Sequence, residues 1–237
     1  MRFRVLLAVI ALSSSCFAGV AFTVQMSRAQ GTATYKTWAE GRSLKAVVEA
    51  SNDSDLSTGN FAISRDGGAT WIAASARWKR YLELSPEELQ ERMGNRAKPL
   101  NGRMESLTVE NLAERDGGIV AGYATRRHTV RVSLVVHTRS FWRDVTRHMV
   151  VTETLWIAEG VPTPCPEMGV IMKESTGTLE IDRALAINEP KGFPMKRLIE
   201  IDVDGERLAS SSVEVKALAQ MPVADSVFVV PANYKKH

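Results

Sequence analysis

The sequence predicts a mainly β protein of the α+β class, a curved antiparallel sheet rolled into a half-barrel with one or two helices. Three observations predict it. Apolar and β-branched residues alternate or cluster at strand length over 44–50, 59–64, 128–137, 145–157, 195–203 and 208–218, as they do in strands with one buried face. The glycine turns Asp66-Gly67-Gly68, Asp116-Gly117-Gly118 and Asp204-Gly205 stand between such runs and supply the positive φ of tight hairpins. Helix signals are confined to two short segments. A sheet with so little helix covers one face with a second sheet, its own curvature or a helix laid in the hollow. A curved sheet around a helix suits the proportions, and a β-sandwich is the competing architecture.

The chain opens on Arg2 and Arg4 followed by an apolar run over residues 5–24, the pattern of an export signal. Ser27 and Ala29 place small side chains at the −3 and −1 positions of a cleavage site. They predict a signal peptide over 1–29 and a single β-rich domain over 30–237, periplasmic or secreted. The run also has the length, about 20 residues, that spans a bilayer. An uncleaved anchor in the inner membrane is therefore the alternative, and the membrane is a partner only in that case. Ser13 before Cys16 and Phe17 after it depart from a lipoprotein signal. Cleavage removes Arg2, Arg4 and Arg28 and no acid, leaving 27 of the 30 basic residues against 27 acidic ones. A near-neutral chain argues against a nucleic-acid partner. The short basic runs Arg77-Trp78-Lys79-Arg80 and Arg126-Arg127-His128 read as solvated faces.

Ser85-Pro86-Glu87-Glu88-Leu89 carries a capping serine, a proline at the first helical position and a glutamate three after the cap, with Gly94 to stop the helix. A second helix is expected over 173–186, where Leu179, Arg183 and Ala186 share a face and Gly177 and Thr178 weaken it. Residues 95–103, with Pro99 and Gly102, read as a loop. After cleavage Cys165 is the remaining cysteine, set among Pro162, Pro164 and Pro166. No internal disulfide is expected, and the thiol reads as a half-buried loop group with no histidine motif beside it.

Two patterns invite a reading as chemistry. Ser64-Arg65-Asp66-Gly67-Gly68-Ala69-Thr70-Trp71 matches the Asp-box of sialidases and other β-propellers. In that pattern Asp66 accepts hydrogen bonds from the turn while Trp71 packs beneath it. A propeller repeats its blade, and this chain carries the motif once, so an Asp-box hydrolase is the rival reading and a well-made hairpin the preferred one. His137 and His148 would face each other across a hairpin turning near Trp142-Arg143 and are the metal candidates. A zinc site needs three or four ligands, and no motif completes one. Glu153, Glu159, Asp182 and Glu200 show no paired spacing for acid–base work. No glycine-rich phosphate loop is present and no cofactor is expected.

Several segments in order resemble an uncharacterised family of exported bacterial proteins. They are Ile63 to Gly68, Arg77 to Tyr81, Ile119 to Tyr123, Glu153 to Glu159, Gly192-Phe193-Pro194, and the terminal stretch from Val227 to Lys236. The resemblance implies the half-barrel of the periplasmic lipoprotein carriers (LolA-like), and that family has no agreed activity to carry over. The region 124–128 lacks the cysteine frequent in the family, and the stretch around Phe141-Trp142-Arg143-Asp144 is longer.

The expected function is non-enzymatic: binding of a lipid or other apolar ligand, or of an envelope protein, on the concave face. Val130, Val132, Leu134, Val136, Trp156 and Phe228 are the candidate liners, among five tryptophans in the chain. Plain core packing of the same residues is the competing explanation, and a structural or assembly role in the cell envelope is a further alternative.

Overall fold

The computed structural model describes residues 19–92, 102–140, 143–161 and 175–237. The charged leader with Cys16, the helix stop at Gly94, the loop expected from 95, Phe141, Trp142, Cys165 with its prolines and the start of the second expected helix lie outside the described residues. The fold is mainly β. Its strands are β1 Val20–Arg28, β2 Gly31–Glu40, β3 Ser43–Ser51, β4 Phe61–Ser64, β5 Trp71–Ser75, β6 Arg80–Leu84, β7 Arg103–Asn111, β8 Arg115–Val120, β9 Tyr123–Ser140, β10 Arg143–Ala158, β11 Phe193–Val203, β12 Glu206–Gln220 and β13 Lys235–Lys236. Among the described residues the α-helices are α1 Pro86–Arg92 and α2 Leu179–Ile187.

All strands join one open curved sheet in the order β13-β6-β5-β4-β3-β2-β1-β12-β11-β10-β9-β7, with β8 also pairing β9. Neighbours are antiparallel except β13 and β6. Val20, Phe22, Val24 and Met26 of β1 are all buried, while Ala21, Thr23 and Gln25 between them are half-buried. This is the period-two pattern of a strand, and it lies in the segment assigned to the export signal. Cutting after Ala29 would remove a strand hydrogen-bonded on both sides, to β2 and β12. The sheet therefore includes residues upstream of Gln30.

Turn chemistry explains most hairpins. Asp66-Gly67-Gly68 joins β4 to β5 and Asp204-Gly205 joins β11 to β12. Asp116-Gly117-Gly118, expected to be a turn, lies inside β8 at a register shift, and the chain reverses instead at Ala121 and Gly122, whose φ values are 48° and 86°. Two consecutive positive φ angles make the tight reversal that matches strand twist. Gly117 is pressed against Trp156, whose Cδ1 would lie 2.9 Å from an added Cβ.

Among the described residues the apolar side chains gather in three clusters. On one face of the sheet, residues of β1, β2 and β3 pack with Trp71, Phe193, Met195, Val213 and Val215, and Phe22 meets Phe193 edge to face at 5.5 Å. Farther along β9 to β11, Val130, Val132, Leu134, Val136, Val151 and Ile199 are covered by Ile181, Ala184 and Leu185 of α2. Phe193, Met195, Arg197 and Ile199 alternate along β11 on one face, so the first two clusters share that face and Arg197 marks their border. The third cluster is on the opposite face, where Phe61, Ile63 and Ala74 are covered by Val223 and Phe228. Lys45 Nζ and Arg65 Nε hold this C-terminal segment by donating to the carbonyls of Val227 and Phe228.

Candidate ligand-binding site

The six expected liners fall into three places. Val130, Val132, Leu134 and Val136 do share a face, but α2 already fills the space over them. Trp156 points to the opposite face from buried Leu155, with Lys196 Nζ 5.2 Å from its ring centroid. Phe228 belongs to the C-terminal cover. These residues do not form one site. Hydropathy marked them as burial-seeking, and the helix that buries four of them is contributed from much later in the chain.

A partly open cavity of about 780 Å³ lies elsewhere, against β2 to β6. Its origin is a row of small side chains in register. Thr37 pairs with Ala46, Ala46 with Ala62, Ala62 with Ala73 and Ala73 with Leu82. Cross-strand partners stand side by side on one face, so three adjacent alanines leave a low floor where leucine or valine would fill the space. Tyr35, Val48, Leu56 and Leu89 complete apolar walls.

Local chemistry positions those walls. Ser85 Oγ accepts from the Glu88 amide at 3.2 Å while Glu88 Oε2 accepts from the Ser85 amide at 2.8 Å. This reciprocal cap is the one expected from the sequence, and it fixes α1 so that buried Leu89 faces the cavity and Arg92 reaches its rim. On the other side, Arg28 Nε donates to Asp53 Oδ2 at 2.6 Å, both side chains being buried. That bond, with the Asp55 amide on Asp53 Oδ1 at 2.8 Å, ties down the 52–59 connection that supplies Leu56. The Arg28 hydrogen bond also holds the Asp53 carboxyl below its ordinary range. Arg80, Trp78 and Asp55 add polar groups at the rim.

The Asp-box segment has the structural geometry expected of it. Asp66 Oδ1 accepts from the Thr70 amide at 3.0 Å and from Ser64 Oγ at 2.9 Å, and Asp66 Oδ2 accepts from Thr70 Oγ1 at 2.5 Å. With Thr70 as the largest cause, these bonds lower the Asp66 pKa to about 2. Trp71 is fully buried beneath the turn. Asp66 is committed to the hairpin.

The histidines are out of the expected register. His137 pairs with Thr146, and His148 with Val135, two residues further on. His137 Nδ1 lies 3.0 Å from Thr146 Oγ1 and Nε2 lies 2.5 Å from Glu105 Oε2. Among the described residues no group of three His, Cys, Asp or Glu is placed to hold a metal. Each scattered carboxylate has its own partner: Glu153 with Arg197, Glu159 with Arg126, Glu200 with Arg207, and Asp182 with Ser175 and Thr176 before α2.

No protein-family model matches the sequence, and a search of curated proteins finds no match. Among solved structures, the chain is similar to an uncharacterized conserved protein from Thermus thermophilus. Identity is 10%, the TM-score is 0.46, and the match covers 93% of this chain and 90% of the other. No activity follows from that likeness. The site itself offers a concave space with a mostly apolar lining, to which Asp55, Asn60, Ser75 and Arg80 also contribute.

Proposed function

We propose that this protein is a non-enzymatic exported carrier that binds one lipid-like molecule in the alanine-floored cavity. The observation that carries the reading is the register of Ala46, Ala62 and Ala73 across three strands, which leaves about 780 Å³ against the sheet. That volume lies within the range of pockets for drug-sized ligands, roughly 300–1,000 Å³. A curved sheet with a hollow on one face also suits the half-barrel carriers that the sequence segments resemble.

Export is part of the proposal. With β1 assigned to the fold, the leader shortens to residues 1–18, keeping Arg2 and Arg4 and an apolar stretch from Val5, and Cys16 and Ala18 take the −3 and −1 places. The apolar stretch ahead of Gly19 is then shorter than the ~20 residues that span a bilayer, which favours cleavage over an anchor. Among the described residues no helix is long and apolar enough to cross a membrane.

Native mass spectrometry with lipid extraction, on protein purified from its own export compartment, tests both parts. The expected result is an N-terminus at Gly19 and one apolar molecule per chain, lost on Ala62→Phe. An empty chain with a tightly held protein partner would replace the carrier reading with that of an envelope assembly factor. An N-terminus at Gln30 would overturn the assigned leader.

A further inference from the structure

We infer that the turn between β5 and β6, together with β13, forms a docking surface for an anionic lipid bilayer. Trp78 at the turn is 67% exposed, and the Arg77 guanidinium lies 4.9 Å from its ring centroid. Lys79 has a φ of 50°, which makes the reversal tight, and its Nζ sits 5.1 Å from the Tyr234 ring. Parallel pairing of β13 with β6 then sets Lys235 beside Arg80 and Lys236 beside Tyr81, and the Lys235 amide donates to the Lys79 carbonyl at 3.0 Å. Two basic segments from distant parts of the chain thus become one patch. Glu83 pairs with Lys236 at 2.6 Å, Asp55 lies on the cavity rim, and among the described residues no acid makes an ion pair with Arg77, Lys79, Arg80 or Lys235.

The chemistry favours a bilayer over another polyanion. An exposed tryptophan among lysines and arginines combines the two groups that settle at a lipid headgroup layer: an amphipathic ring and cations attracted to the negative surface. Trp78 and Arg80 also line the cavity mouth, beside Leu82 and Val48. An apolar surface therefore continues inward from the patch, which matches a partner with an apolar interior. The inference goes beyond ligand binding in the cavity, because docking requires only the patch.

The test is co-sedimentation of the mature chain with phosphatidylcholine vesicles, with and without phosphatidylglycerol, at low and raised salt. Binding is expected to the anionic vesicles, to weaken with salt, and to bring a blue shift in emission that Trp78→Ala removes. Each cation near an anionic surface is worth roughly fivefold in partition, so Arg77→Gln, Lys79→Asn and Lys235→Gln combined should reduce binding on the order of a hundredfold. Asparagine at 79 keeps the positive φ accessible, and unchanged circular dichroism and native mass spectra confirm that the fold and cavity persist. Equal binding to neutral vesicles, no binding to either kind, or binding unaffected by the combined variant would overturn the inference. So would full displacement from anionic vesicles by single-stranded DNA through the same side chains, which would mark a general polyanion site.

Discussion

Arg197 Nε donates to Glu153 Oε1 at 2.5 Å and its Nη2 lies 2.5 Å from the same carboxylate oxygen, with the two side chains 4% and 1% exposed. The pair spans β10 and β11 at the border between two apolar clusters. Removing one partner of a buried pair leaves an uncompensated charge at a cost of about 3–5 kcal/mol, whereas replacing both with apolar groups is often neutral. Glu153→Leu and Arg197→Met are each expected to lower the urea midpoint strongly, and the double variant to recover most of the loss. Additive losses in the double-mutant cycle would refute the coupling.

The Asp66 turn predicts a specific acid sensitivity. A folded pKa near 2 against an ordinary 3.8 means that the carboxylate's contribution is complete above about pH 4 and is lost as the pH falls toward 2. Asp66→Ala removes acceptors for the Thr70 amide, Thr70 Oγ1 and Ser64 Oγ, and should cost about 1–3 kcal/mol at neutral pH. Thermal melts of parent and variant should converge on acidification through this window; a gap that stays constant down to pH 2 would contradict the assignment.

Strand β1 makes truncation informative. A chain beginning at Gln30 lacks Val20, Phe22, Val24 and Met26 and also Arg28, the partner of buried Asp53. It should fail to give a cooperative melt, while a chain beginning at Gly19 should melt as one unit. Cooperative folding from Gln30 would show that the sheet closes without its central strand.

Cavity filling separates fold from ligand. Ala62→Phe and Ala73→Phe place a ring in existing space on half-buried positions. Stability should change by less than about 1.5 kcal/mol, while a bound apolar molecule disappears from the native mass spectrum. Undiminished occupancy would move the ligand to another part of the molecule.

The strands that were legible in the sequence are those whose alternation is local and bounded by glycine turns, such as β4 with Asp66-Gly67-Gly68 and β11 with Asp204-Gly205. The capping residues of α1 were legible for the same reason, since Ser85 and Glu88 satisfy each other's amides within one turn. β1 was hidden because its apolar residues continue the run that hydropathy alone reads as an export signal. The cavity was hidden because it depends on register: Ala46, Ala62 and Ala73 are ordinary singly and become a floor only when β3, β4 and β5 align them. The basic patch likewise required β13 to pair with β6 across most of the chain.

The pairing of β1 with β12 sets the order in which the molecule can assemble. Val20 meets Gln220, so one long side of the first strand stays open until nearly the whole chain has been delivered. Closing such a distant contact carries a large loop entropy, and folds dominated by contacts of this kind form slowly. During that interval an apolar strand with unpaired amides invites pairing with other chains. A nascent or truncated chain ending before β12 should therefore aggregate through β1.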